Sequence, residues 1–156
     1  MANKLTENFT LEELTHSETA LRRGFDNNPP PAAYENLIRL ARLLEEVRKV
    51  LGKPILINSG YRSREVNEAV GSKESSQHRV GCAADIRVPG MNPKEVCDAI
   101  IASDIQFDQL IREFWDETRG GGWTHISVPN TPNLTPRNQT LIIDRNGTRP
   151  YAQEKH

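Results

Sequence analysis

The chain has 156 residues, the size of one domain, and at that length roughly 68–70% of the unfolded surface is buried on folding. Hydrophobic residues make up 36% and charged residues 26%, so an ordinary apolar core suffices without disulfides. The 20 basic and 21 acidic residues are interspersed and leave a net charge of −1, which excludes a broad basic footprint for nucleic acid.

No apolar run approaches the roughly 20 residues that a membrane helix needs, so membrane insertion is not expected. Met1–Thr10 is polar and lacks a basic region followed by an apolar stretch, so no secretory signal is read there. The protein is expected to be made in a cytoplasm, to be a monomer, and to reach an external target only when another agent releases it. Cys82 and Cys97 form no metal-ligand doublet and read as two small core residues. A reducing compartment leaves them unpaired.

The elements follow in chain order. Phe9 precedes Thr10, and Glu13 follows three residues later, the pattern of a capping box opening a short helix in a unit that ends at Gly24. Asn27-Asn28-Pro29-Pro30-Pro31 forces an extended turn. From Pro31 to Leu51, Leu37, Leu40, Ala41, Leu44, Val47 and Leu51 recur at helical spacing, and Gly52 stands where a helix ends. Strands are predicted at Pro54–Asn58, Ala83–Val88, Phe107–Trp115, Trp123–Val128 and Leu141–Asp144. Asn92-Pro93 opens a helix to about Ser103, with an N-cap asparagine and proline in the first turn. This order predicts one α+β domain over 1–156, with helices packed on a mostly antiparallel sheet. Within it we distinguish an N-terminal helical segment (about 8–52), a core carrying the chemistry (about 54–129) and a tail (130–156) without a usable motif.

Of four histidines, His16 lies on a polar helical segment and His156 is the last residue, so neither invites a functional role. His78 and His125 sit beside glycine-containing turns and near strands. In Ser76-Gln77-His78-Arg79-Val80-Gly81-Cys82-Ala83-Ala84-Asp85 a carboxylate follows the histidine inside an apolar strand. Small residues at Gly81, Ala83 and Ala84 let the backbone fold back between them. A buried aspartate is costly unless paired or bound to a cation, so a metal, a helix cap or an Asp–Arg pair would each account for Asp85. If Phe107–Trp115 and Trp123–Val128 form a hairpin with Trp115 facing Trp123, Glu113 falls opposite His125 on one face. A ligand and a general base would then project together. A one-residue slip would separate them.

Ser76-x-His78-x-x-Gly81-x-Ala83-x-Asp85, followed by Trp123-x-His125, resembles the zinc D-Ala-D-Ala carboxypeptidase family. That family includes phage L-alanyl-D-glutamate endopeptidases and vancomycin-resistance dipeptidases, and shares its fold with the hedgehog signalling domain. Ser59-Gly60-Tyr61-Arg62-Ser63 with Asn67 is similar to its upstream signature, and Phe107-Asp108-Gln109-Leu110-Ile111-x-Glu113 to a strand preceding the last ligand. The opening, Phe9 to Asn28-Pro29, resembles phage-encoded members. The resemblance implies one zinc ion on His78, Asp85 and His125, with water completing an open site. It further implies Glu113 as catalytic base, Arg62 pairing with a substrate carboxylate, and Ser76 and Gln109 as substrate-binding groups.

This sequence departs from several branches at Gly122, three residues before His125, where they place a catalytic acid. Glu113 is therefore the expected base, with Asp116 and Glu117 as alternatives. The implied function is a zinc-dependent peptidase of peptidoglycan stem or cross-link peptides, acting as an endolysin on the cell wall. A D,D-carboxypeptidase or dipeptidase of the same fold, and a non-catalytic zinc module, are the competing readings.

Overall fold

A computed structural model describes residues 3–151, so His156 lies outside them. The N-terminal unit is two short helices, α1 (Leu11–Thr15) and α2 (Glu18–Arg23), where the sequence predicts one. Thr10 and Glu13 form the expected capping box, and Ser17 caps the second helix anew. His16 is exposed beside Glu18. α3 runs from Pro31 to Leu51 and ends at Gly52, as its apolar spacing and flanking proline and glycine require. It buries Leu37, Leu40, Leu44 and Val47 completely, each worth about 1.5–3 kcal/mol relative to exposure. After strand β1 (Leu56–Ser59) come a short helix, α4 (Arg64–Ala69), and a 3-10 turn at Gln77–Val80. β2 (Ala83–Arg87) precedes α5 (Pro93–Ala102), which starts at an Asn92–Glu95 capping box. The rest is strand: β3 (Gln109–Glu113), β4 (Trp123–Ser127), β5 (Gln139–Asp144) and β6 (Gly147–Pro150).

The six strands form one sheet in the order β1-β2-β4-β3-β5-β6, antiparallel except where β5 lies parallel to β3. The predicted α+β class with a mostly antiparallel sheet is therefore observed. The tail without a motif supplies its last two strands, and Ile142 and Tyr151 from it join the core. Alternation along the strands divides the sheet. Ala84, Ile86, Leu110 and Ile126 enter the core with α3 and α5, including Cys82 and Cys97, both buried and free. Burial pushes the Cys82 thiol up to about 11 and the Cys97 thiol up to about 12, so both stay protonated, in keeping with core roles. The opposite face of the same strands carries Asp85, His125 and Glu113.

Candidate active site

Strand register organises the polar face into rows. Asp85 pairs with His125, His125 with Ile111, and Ile111 with Leu141, so four strands contribute one middle row. On one side of it Trp123, Glu113 and Ile143 form a second row. On the other, the Gln109 amide N–H reaches Ser127 Oγ at 3.0 Å and Gln109 pairs with Gln139. The hairpin register differs from the sequence expectation by two residues: Trp123 faces Glu113, and Trp115 does not face Trp123. A shift of two preserves the face, because side chains alternate with period two. Glu113 is thus a diagonal neighbour of His125, its Oε2 lying 3.9 Å from Nδ1.

His78 reaches this face from the 3-10 turn. Its Nδ1 lies 2.7 Å from the Gly60 carbonyl oxygen, which only accepts, so Nδ1 carries the proton and Nε2 keeps its lone pair. The Arg62 amide donates back to the His78 carbonyl at 2.9 Å, fastening the two segments. Nε2 stands 3.3 Å from Asp85 Oδ1, and His125 Nδ1 stands 3.1 Å from the same oxygen. The three residues are 3%, 7% and 8% exposed for His78, Asp85 and His125, and one ligand atom from each lies within 4.8 Å of the others.

These atoms fit a metal. Tetrahedral zinc with bonds of about 2.0–2.1 Å separates its ligand atoms by about 3.3 Å. Burial pushes the His78 ring down, so it stays neutral. Burial pushes Asp85 up, but the His78 and His125 rings packed against it outweigh this and hold its carboxyl well below the usual carboxylate range. A neutral imidazole and an ionised carboxylate are the forms a metal requires. The Gly60 carbonyl on His78 is the outer contact that fixes a ligating ring. Glu113 lies beside them with its side chain 16% exposed; burial first, then the charge of Asp85, raise its carboxyl above the ordinary value. The Trp123 indole N–H donates to Glu113 Oε2 at 3.1 Å.

The triad opens into a cleft of about 790 Å³, to which Glu113, Arg62, Ser76 and Gln109 also contribute. Arg62 is held by Ser59 Oγ at 3.1 Å and contacts Asp85 Oδ2 at 3.4 Å, so the Asp–Arg pair weighed from the sequence is formed by the side chain expected to meet substrate. Ser76 Oγ accepts from the His78 amide at 3.2 Å. The Gln109 side chain donates to Gln139 at 2.7 Å. Asp116 instead caps the hairpin turn through the amides of Thr118 and Arg119, and neither it nor Glu117 lines the cleft. Gly122 has φ of 73°, and a Cβ there would collide with the Glu113 carbonyl and the Trp115 amide, so no carboxylate fits that position.

Sequence reasoning missed the Asp108 cluster. Asp108, 5% exposed, takes two bonds from the Arg137 guanidinium at 3.0 and 2.7 Å and one from the Gln77 amide at 3.1 Å. The only local signal was an aspartate opening an apolar strand; its partner Arg137 lies in the tail. The apolar wall of Leu134, Leu141 and Ile143 also comes from beyond Pro129.

A buried His-Asp-His cluster on an α+β sheet, open to a cleft and flanked by a carboxylate, defines a metallohydrolase type of site. Comparison with protein families matches residues 7–127 to Peptidase M15, and the chain belongs to that family of zinc-dependent metallopeptidases. Among curated proteins none matches the chain.

Proposed function

We propose that the protein hydrolyses a peptide bond in the stem or cross-link peptide of bacterial peptidoglycan, with one zinc ion on His78, Asp85 and His125 and with Glu113 as catalytic base. The observation that carries this reading is the placement of Glu113 beside His125 in the same cleft as the triad. Zinc bound there would polarise the scissile carbonyl and acidify water. Glu113 would take the proton of the attacking water and return it to the leaving amine, a reading supported by its raised carboxyl pKa. The Trp123 indole holds that carboxylate in one orientation. Arg62, anchored by Ser59, presents its guanidinium to a substrate carboxylate. Ser76 and Gln109 line the same cleft and bind the peptide backbone. The setting we propose is a phage endolysin, let through to the cell wall by a separate pore-forming protein, in keeping with the phage-like opening segment.

The test is Glu113→Gln with metal content measured alongside release of new amino termini from purified peptidoglycan. The variant should keep one equivalent of zinc and lose about 10²–10⁴-fold in kcat. Full activity in the variant would remove Glu113 from the chemistry. Zinc binding by the wild type with no hydrolysis of any wall peptide would leave a binding module.

A further inference from the structure

The turn that carries His78 is held to the sheet from two sides. On one side, residues following β1 take the histidine itself: the Gly60 carbonyl accepts from Nδ1, and the Arg62 amide donates to the His78 carbonyl. On the other side the contact is made by the neighbouring residue. The Gln77 side-chain nitrogen donates to Asp108 Oδ2 at 3.1 Å, just before β3, and to the Val128 carbonyl at 3.0 Å, just after β4. Asn130 Oδ1 lies 2.9 Å from the same nitrogen. A carboxylate and a backbone carbonyl only accept, so the nitrogen and not the oxygen of the amide must face them. Because β4 is also the strand of His125, this amide fastens the segment bearing one histidine to the strand bearing the other.

The arrangement leaves Gln77 Oε1 buried without a hydrogen-bond partner among the described residues. A buried acceptor in that state opposes folding. The turn closes through its backbone, since the Gln77 carbonyl accepts from the Cys82 amide at 3.0 Å. What the side chain adds is the placement of the turn across the sheet. Its acceptor is rigid in turn, because Arg137 holds Asp108 by two bonds.

We propose that Gln77 is a positioning residue for the metal, its amide setting the distance of His78 from the Asp85–His125 pair. This rests on the reading of those three residues as ligands of one ion. Gln77 acts through the backbone of the turn and is not itself a ligand. Zinc tolerates only about 0.2 Å of departure in its bond lengths, so a turn free to slide costs affinity.

The experiment titrates metal-free wild type, Gln77→Met and Gln77→Glu with zinc against a chromophoric chelator, and with cobalt(II), whose visible absorption reports ligand geometry. Methionine keeps the length of the side chain and removes the donor. Glutamate is isosteric and sets an acceptor against the Asp108 carboxylate and the Val128 carbonyl. Zinc affinity should fall about 10–100-fold in Gln77→Met and at least as far in Gln77→Glu. The cobalt spectrum at saturation should differ from wild type in both. Tyr151→Phe is the control: it removes the 2.7 Å bond to Asp98, and neither residue lines the cleft. It should lower Tm and leave affinity and spectrum unchanged, with thermal unfolding showing each metal-free protein folded at the titration temperature. Wild-type affinity and spectrum in both Gln77 variants overturn the role of Gln77 and leave the ligand reading intact, as does an equal loss of affinity in Tyr151→Phe. Failure of the wild type to bind zinc removes the ligand reading and this inference with it.

Discussion

His78 is oriented by a backbone atom rather than a side chain. The Gly60 carbonyl accepts its Nδ1–H, and that carbonyl is held in place because Gly60 packs directly against the Leu14 backbone. A Cβ at position 60 would collide with the Leu14 carbonyl, which also accepts the Tyr61 amide at 2.8 Å. Gly60→Ala must therefore displace the acceptor that fixes the ring. Its zinc affinity should fall by about 10–100-fold, the usual effect of losing a contact behind a ligand. Competition with a chromophoric chelator measures this, and an unchanged affinity would show that His78 is held from elsewhere. The histidines and Asp85 were legible as candidates from residue type and spacing. The carbonyl behind them was not, because every residue offers one.

At the scale of elements, the β3–β4 hairpin decides where Glu113, the proposed base, sits. Phe114 takes a left-handed φ of 53° at the end of β3, and its ring lies 5.5 Å from that of Trp123. Across from it the backbone at Gly122 passes too close to Glu113 for any side chain. These two positions break the simple alternation assumed when Trp115 was set opposite Trp123. The amphipathic face survived the error, since period two is indifferent to a shift of two. Replacing the glycine by the acid found in other branches should not create a second base. Gly122→Asp places a side chain at positive φ and against backbone, and should destabilise by about 3 kcal/mol, lowering Tm by about 10 °C. Thermal unfolding of the metal-free protein gives the number. A variant of unchanged Tm and higher activity would contradict the geometry.

For the whole molecule, the issue is how the segment after Pro129 is joined to the rest. β5 enters parallel to β3, and its residues wall the cleft. Asp108 joins this segment through Arg137 to the turn carrying His78 through Gln77, so one buried carboxylate ties three parts of the chain. Burial raises its pKa, but the Arg137 hydrogen bonds outweigh this and hold it below the ordinary value. The unfolded state then takes up the proton more readily. The stabilisation is present above the unfolded pKa of about 3.9 and is lost as pH falls through the folded value. Asp108→Asn should cost about 2 kcal/mol at neutral pH, a Tm lower by about 6 °C. The difference from wild type should shrink below about pH 4. Denaturant titrations of both metal-free proteins across pH 2–7 check it, and parallel curves would show that Asp108 contributes no charge-dependent stability.

Periodicity and local chemistry were enough to determine α3, the capping box at Thr10, the N-cap at Asn92 and five of the sheet-forming runs, and to mark His78, Asp85 and His125 as candidates; the motif's resemblance to a known family joined those three into one ligand set. These depend on neighbours within a few residues, or on residue types too costly to bury without a purpose. Tertiary structure decided the hairpin register, the parallel docking of β5 and the Asp108–Arg137 tie. Each depends on contacts between segments far apart in the chain, where the same residue types support many pairings and packing selects one.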